Sequence, residues 1–295
     1  MSANKSLKRQ LQENLQSKLK IGESRHEYKK QYGRDTYIPY IFSWSTYRTY
    51  QKHGYYFLQY CKEKHNCKTI EECRQYADEW LSTRTHLSPY TQNLEMSALG
   101  KIYSCPSTEF DFTPKTRHRS DIVRSRVYVE RDRNFSYQNN WQLVDFCRST
   151  GLRRAELTTL KGSQLVERDG KYYIAVKGKG GKYREAPVIN NIDLVVEMMR
   201  NAGDGLVFSH IHNAADIHSY RAEYATDIYE MHARQIEDIP RDKQNEKTGR
   251  WYQSDVYHCR GDMKGVLLDR AAMREASIAL GHNRVSVFAY HYLRL

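Results

Sequence analysis

Four leucines near the start of the chain stand four residues apart in an otherwise polar segment: Leu7, Leu11, Leu15 and Leu19. Residues spaced in this way fall along one slowly drifting stripe of an α-helix, so the segment is predicted to be an amphipathic helix. Its apolar stripe would pack either on its own domain or on a neighbouring subunit. We assign residues 1–36 to this helical extension.

Residues 43–104 show helical spacing of apolar side chains and lack the alternating pattern that is typical of a strand. Three hydroxyl residues precede the apolar runs and are predicted to cap helices: Ser45, Thr69 and Ser88. A proline directly after Ser88 fits the first position of a helix. The pattern therefore predicts a compact helical domain over residues 37–112.

The composition changes between residues 105 and 133, where Pro, Ser, Thr and Arg replace the apolar pattern. Such a stretch is typical of an exposed linker, and its arginines are suited to follow the phosphates of a nucleic acid. We therefore predict a basic linker over residues 113–134.

After the linker the pattern becomes mixed, which predicts a second domain over residues 135–295. Helices are predicted over residues 138–148 and 267–280. Residues 172–188 contain strand-forming residues around a glycine-rich turn, which predicts a β-hairpin. The expected fold class is mainly α, of the α+β type, with a helical domain followed by a mixed domain that carries a small β-sheet.

An excess of basic side chains narrows the choice of partner. The 295 residues include 47 Lys and Arg against 35 Asp and Glu, a formal net charge of +12. This excess favours a polyanionic partner, because each phosphate that a protein neutralises releases condensed counterions. A merely solvated basic surface would show the same balance.

The polar start of the chain and the cysteine pattern argue against a membrane protein and against a zinc site. No apolar run approaches the length of a membrane span, so we expect a cytoplasmic protein with no membrane partner. The cysteines lack the paired Cys-x-x-Cys spacing of a zinc site, so we expect free buried thiols and no metal. There are six of them: Cys61, Cys67, Cys73, Cys105, Cys147 and Cys259.

Two blocks near the middle of the chain carry candidate chemistry. Residues 150–157 (TGLRRAEL) place Arg153 where a glycine ends one helix and the next begins, so a turn could aim its side chain into a cleft. Residues 176–184 (VKGKGGKYR) place Lys179 at the tip of the predicted hairpin. Taken singly, each also fits an ordinary surface cation. The turn lacks the Gly-Lys-Ser/Thr arrangement of a nucleotide-binding loop, which argues against ATP.

Two further blocks lie downstream. Residues 255–262 (DVYHCRGD) supply Arg260, and residues 279–284 (ALGHNR) supply His282. A tyrosine-rich end follows and includes Tyr292. Cleaving a phosphodiester without a metal requires a nucleophile, cations that hold the phosphate oxygens and an acid for the leaving group. Tyrosine, arginine, lysine and histidine can supply these parts.

In their order, these blocks resemble the signature of the tyrosine recombinases, also called phage-type integrases. The resemblance covers residues 135–295 and extends to the helical front part only in general character. It implies attack by a tyrosine on a DNA phosphate, giving a 3′-phosphotyrosyl link and a free 5′-hydroxyl that later attacks a partner strand. Bond energy is conserved throughout, so no metal, ATP or other cofactor is implied.

The resemblance also implies a role for each residue. Arg153 and Arg260 look like the two arginines that clamp the phosphate, and Lys179 looks like the general acid. His282 looks like the histidine that assists the nucleophile's proton, and Tyr292 looks like the nucleophile.

The block around Arg260 departs from the family pattern. The family usually has His three residues before the second arginine, whereas this chain has Tyr257 there and His258 one position later. Tyr257 could still donate a hydrogen bond to phosphate, and His258 would have to rotate inward to accept a proton. We predict that both contact DNA, together with Lys182 and Arg184 beside the hairpin turn.

The choice of nucleophile is ambiguous as well. The family spacing from the box histidine lands on or beside His291, between Tyr290 and Tyr292. We favour Tyr292, because the residues after it look more like the family's ending. Only three residues follow it, whereas many relatives use a longer tail to dock on the next protomer.

The leading hypothesis is a site-specific DNA recombinase or integrase that integrates or excises a mobile element. As the resemblance implies, it would act as a homo-tetramer on double-stranded DNA in the bacterial cytoplasm, on the nucleoid. An accessory factor could set its direction. The alternatives are a DNA-binding regulator on the same fold that does not cleave, and an enzyme like the type IB topoisomerases.

Overall fold

The protein, seen here as a computed structural model, consists of two compact units, Met1–Arg117 and His118–Leu295. Each unit has its own buried apolar core. The finer division into an extension, a helical domain, a linker and a catalytic domain remains a prediction. The structure describes residues 5–33, 35–121, 134–178, 181–282 and 284–294.

The first unit is a helical bundle. The predicted amino-terminal helix belongs to it, because Leu11 and Leu15 are fully buried in the same core as Phe57 and Leu99. The apolar stripe therefore packs on its own unit rather than on a neighbouring subunit. The helices are α1 (Leu7–Gln16), α2 (Arg25–Tyr32), α3 (Trp44–His65), α4 (Ile70–Cys73), α5 (Ala77–Ser82) and α6 (Pro89–Tyr103).

Two of the three predicted helix caps in this unit are confirmed. Thr69 forms a reciprocal capping box with Glu72 at the start of α4, and Ser88 caps α6. The prediction for Ser45 is wrong by two residues. Ser43 has an extended backbone and accepts a hydrogen bond from the N–H of Thr46, so α3 begins at once after it.

The second unit begins around a helix and the predicted hairpin. The hairpin is confirmed: its two strands pair antiparallel, and a third strand extends them into a sheet of order β1-β2-β3. Ile174 and Ala186 are fully buried on one face of this sheet, against the helices. The elements are α7 (Tyr137–Thr150), α8 (Arg154–Leu157), β1 (Leu165–Arg168), β2 (Lys171–Lys177), β3 (Tyr183–Pro187) and α9 (Ile192–Ala202).

The remainder of the unit alternates helices with short strand pairs. The helix predicted over 267–280 starts three residues late, because Leu267–Asp269 pairs as a strand and the Asp269 carboxylate then caps the helix. The elements are α10 (Ile217–His232), β4 (Lys243–Gln244), β5 (Trp251–Tyr252), β6 (Val256–His258), β7 (Leu267–Asp269), α11 (Arg270–Ala279), α12 (Val285–Val287) and a π-helical turn (Phe288–Tyr292).

All six cysteines are free and buried, as predicted. Within the described part of the chain, no helix combines the length and the apolar character that a membrane crossing requires.

Candidate active site

Arg153 is aimed by a tight turn between two helices. Gly151 ends α7 with a left-handed backbone (φ 56°), and a side chain there would collide with Tyr224, since a Cβ would lie 2.1 Å from its ring. Arg153 then stands at the start of α8. Its neighbour Arg154 is not a free surface cation, because it donates to carbonyl groups of residues 211–215 and holds the loop that leads into α10.

Glu156 holds two arginines in place from inside the protein. Its carboxylate accepts from the backbone N–H and the Nη1 of Arg153, both at 2.7 Å, and from Nη2 of Arg184 at 2.8 Å. Burial alone would raise the pKa of this carboxyl, but Arg184 and Arg153 keep it below its usual value. Arg184, which we predicted to contact DNA, has a buried side chain that also donates to the carbonyl of Ala279.

Arg221 on α10 is the arginine that lies beside Tyr292. Its side chain is fully buried, and its Nε lies 3.4 Å from the Tyr292 hydroxyl. Its two terminal nitrogens donate to the carbonyls of Gly151 and Leu280. The carbonyl of Leu280 also accepts from Nη2 of Arg153 at 3.1 Å. One acceptor thus brings Arg153 and Arg221 together.

His282 completes this group. Its Nε2 lies 3.4 Å from the Tyr292 hydroxyl, and the two ring centroids are 5.4 Å apart. Burial, followed by the charges of Arg221 and Arg153, lowers the pKa of His282 to about 4. The imidazole is therefore neutral near pH 7, so a ring nitrogen can accept a proton from the phenol.

Tyr290 points to a different place. Its hydroxyl accepts a hydrogen bond from the backbone N–H of Arg260 at 2.6 Å, and it also interacts with Tyr257. The separation follows from the π-helical turn, in which the N–H of Leu293 bonds to the carbonyl of Phe288 at 2.9 Å. Such a turn contains one residue more than an α-helical turn, and Tyr290 and Tyr292 point to different places around it.

The structure replaces Arg260 by Arg221 as the arginine next to the tyrosine. The side chain of Arg260 is exposed, and among the described residues its contact to this segment is made by its backbone N–H. His218 stands three residues before Arg221, which is the His-x-x-Arg spacing that the block at Arg260 lacks. That spacing was the signal in the sequence that could have identified both residues. Desolvation and the charge of Arg221 lower the pKa of His218.

The remaining predicted site residues are Lys179, the predicted general acid, and three predicted DNA contacts. Lys179 falls outside the described residues. The hairpin turn that carries it starts beside Arg153, because a Cβ on Gly178 would lie 3.3 Å from Nη1 of that arginine. Lys182 and His258 are exposed, whereas Tyr257 is half-buried with Arg270 over its ring.

Two arginines fix the segment that bears Tyr292. Arg119 donates to the carbonyls of Ala289 and Leu293, on either side of the tyrosine. Arg294 forms an ion pair with Glu223 on α10 at 2.8 Å. Part of the predicted linker is therefore tied to the candidate nucleophile. Four further arginines of the predicted linker, at 124, 126, 131 and 133, fall outside the described residues.

The chain matches no family model and no curated protein. It is similar in structure to XerH site-specific recombinase bound to palindromic difH substrate in a post-cleavage complex, with 16% identity over 98% of this chain and 91% of that chain and a TM-score of 0.50. It is also similar to the Tn1549 transposon integrase in complex with transposon right end DNA, with 10% identity over 99% and 96% of the chains and a TM-score of 0.45. At 16% identity, the first likeness shows the fold: a helical unit followed by a mixed unit of the tyrosine recombinase type.

Proposed function

We propose that this protein is a site-specific DNA recombinase that cleaves and rejoins DNA through a 3′-phosphotyrosyl intermediate, with Tyr292 as the nucleophile. One observation carries the proposal: the Tyr292 hydroxyl lies 3.4 Å from Nε of Arg221 and 3.4 Å from Nε2 of His282. A cation and a neutral base at one phenol can lower the cost of forming the phenolate that attacks phosphorus.

The reaction would proceed by exchange of two P–O bonds. Tyr292 loses its proton to His282 and attacks the phosphorus, and the bond to the 5′ oxygen of the next nucleotide breaks. Arg153 and Arg221 would bind the non-bridging oxygens, whose negative charge grows in the transition state. Since the hydroxyl of Tyr292 lies against the buried Arg221 in the free protein, entry of the phosphate must displace part of that contact.

Lys179 is proposed as the acid that protonates the departing 5′ oxygen. Support comes from the position of its neighbour Gly178 beside Arg153. Attack by the 5′-hydroxyl of a partner strand then reverses the steps and releases Tyr292. The scheme conserves bond energy and requires neither a metal nor ATP.

The oligomeric state and the biological role of the enzyme are also proposals. The resemblance favours a tetramer on two double-stranded DNA sites, integration or excision of a mobile element, and an accessory factor that sets direction. A DNA-binding regulator that does not cleave now has less support, because His218 and Arg221 supply the pair that the block at Arg260 lacks.

Trapping on a suicide substrate tests the nucleophile. A nicked duplex taken from the DNA that flanks the gene should give a covalent protein–DNA adduct, seen as a band shift in denaturing gels. Tyr292→Phe should abolish the adduct and leave DNA binding intact, while Tyr290→Phe should retain the adduct. An adduct with Tyr292→Phe but not with Tyr290→Phe would show that Tyr290 is the nucleophile. Relaxation of a plasmid that lacks the site would favour the topoisomerase-like alternative.

The two candidate arginines can be compared in the same assay. Arg221→Lys keeps the charge but loses the planar fork, so the trapping rate should fall by on the order of 10²-fold. Arg260→Lys is the matched control and should stay within about twofold of the wild type, since a surface substitution away from the site has a small effect. Circular dichroism of Arg221→Lys checks that the buried substitution leaves the fold intact. The reverse ranking would restore Arg260 to the site.

A further inference from the structure

The segment between α10 and α11 exposes two large aromatic rings. Trp251 and Tyr252 form β5 and are 57% and 47% exposed. In the part of the chain that the structure describes, β5 pairs with β4 alone, and both rings stay largely exposed on this hairpin. Adjacent exposed rings of this kind, each with an apolar face and a polar edge, mark a surface that meets a partner.

A basic cavity of about 470 Å³ lies against this hairpin. Its wall contains no carboxylate. Of the acidic residues close by in the chain, Asp242 accepts from the backbone N–H and the hydroxyl of the lining residue Ser254, and Asp255 pairs with Arg234. The cavity is lined by Arg241, Arg250, Trp251, Tyr252, Gln253, Ser254, Val256, His258 and Arg270.

The three arginines of the cavity differ from several other arginines of this unit. Arg148, Arg153, Arg184, Arg234 and Arg294 each lie within ion-pair distance of a carboxylate. Across the described ranges, no such pair is found for the cavity arginines. The Nε of Arg270 is buried without a hydrogen-bond acceptor in the described structure. Its Nη2 donates to the carbonyl of Val256, which holds this guanidinium at the cavity wall.

We propose that this basic cavity and the β4–β5 hairpin form a second DNA-contact site, in which arginines bind backbone phosphates and Trp251 stacks on a base or sugar. The chemistry fits a nucleic acid strand, because guanidinium groups that have no carboxylate partner among the described residues lie beside exposed rings. An acidic peptide would satisfy the arginines but would leave the flat rings without a matching partner. The inference rests on the proposed function and assigns to it a contact away from Tyr292.

Binding as a function of salt tests the cavity arginines. The full chain is titrated with a duplex from the flanking DNA between 50 and 200 mM salt, values chosen because phosphate contacts respond strongly there. The double variant Arg241→Gln/Arg250→Gln should reduce the slope of log K against log salt by about 1 to 2, since each phosphate contact contributes roughly 0.9. The matched control is Arg168→Gln/Arg200→Gln, which removes the same charge from exposed positions that pair with Glu185 and Glu167.

Trp251→Ala tests the stacking part separately. It should weaken binding by roughly tenfold, as the loss of one base–aromatic stack does, and should leave the salt slope unchanged. Equal affinities and slopes for the cavity variant and its control would overturn the proposal. Poly-glutamate binding that is lost in the cavity variant while duplex binding is retained would also overturn it, in favour of an acidic protein partner.

The outcome is independent of the chemistry at Tyr292. If the wild type traps DNA covalently but the cavity variants bind as the control does, only this inference fails. If the wild type forms no adduct but the cavity variants still lose affinity and slope, the proposed function fails and the second DNA-contact site stands.

Discussion

At the residue scale, the carbonyl of Leu280 organises the candidate site. It lies at the end of α11, where helix carbonyls carry partial negative charge, and it accepts from both Arg153 and Arg221. The next residue, Gly281, has φ 72° and packs against Arg184, since a Cβ there would lie 2.6 Å from its Cδ. His282 therefore emerges among three guanidinium groups, and burial together with their charges lowers its pKa and keeps it neutral.

This environment predicts how stability depends on pH. The pKa of His282 is about 4 in the folded protein, below its ordinary value of 6.5. Between these values the unfolded chain binds a proton that the folded protein does not, so the contribution is present above pH 6.5 and is lost as the pH falls toward 4. The melting temperature of the wild type should fall more steeply over this interval than that of His282→Gln, which has no titrating ring. If the melting temperatures of the two proteins changed in parallel with pH, the lowered pKa of His282 would be contradicted.

At the element scale, the π-helical turn and its two arginine anchors decide which tyrosine faces the site. Arg119 ties the carbonyls of Ala289 and Leu293, while Arg294 ties the end of the segment to α10. The turn also buries Phe288 and Ala289 in a core of the unit, so apolar packing and these polar contacts together fix its path. Arg119 is thus a positioning residue, which acts on Tyr292 through the backbone.

Substitution of Arg119 should separate chemistry from binding. Arg119→Gln removes the charge and the fork that spans two carbonyls, so the trapping rate should fall on the order of tenfold because the nucleophile is misplaced. DNA affinity should change no more than in the control Arg117→Gln, which loses the same charge and whose guanidinium lies over the Tyr90 ring. Arg119→Lys should restore only part of the rate. Equal losses of rate and affinity in Arg119→Gln would contradict a positioning role.

At the scale of the whole molecule, each unit encloses a core of its own. Phe57, Trp80 and Leu99 belong to the core of the first unit, whereas Phe146 and Phe288 belong to cores of the second. A unit of this size can bury enough apolar surface to fold alone. The side chains proposed for catalysis, Arg153, Arg221, His282 and Tyr292, all come from the second unit.

Separate cores predict that the first unit folds by itself. A fragment of residues 1–117 should show a helical circular dichroism spectrum and a cooperative thermal transition. The substitution Phe57→Ala should lower its melting temperature, since truncating a fully buried phenylalanine costs about 3–5 kcal/mol. A fragment without a transition would show that the unit depends on the rest of the chain.

Features governed by neighbouring residues could be predicted from the sequence. The 172–188 hairpin follows from strand formers around glycines, and the caps at Thr69 and Ser88 follow from hydroxyls that meet nearby N–H groups. The cap at Ser45 and the start of α11 were misplaced by two and three residues, because Ser43 and Asp269 offer equally suitable side chains close by.

The sequence by itself determined the helical front part, the mixed second part and the candidates Arg153, His282 and Tyr292, because local spacing and turn chemistry encode them. Only the tertiary structure decided which arginine and which tyrosine meet. Arg221 reaches Tyr292 because α10 packs against the π-helical turn, and that turn rotates Tyr290 away toward Arg260. Contacts between residues so far apart in the chain depend on how whole elements pack, which no local pattern records.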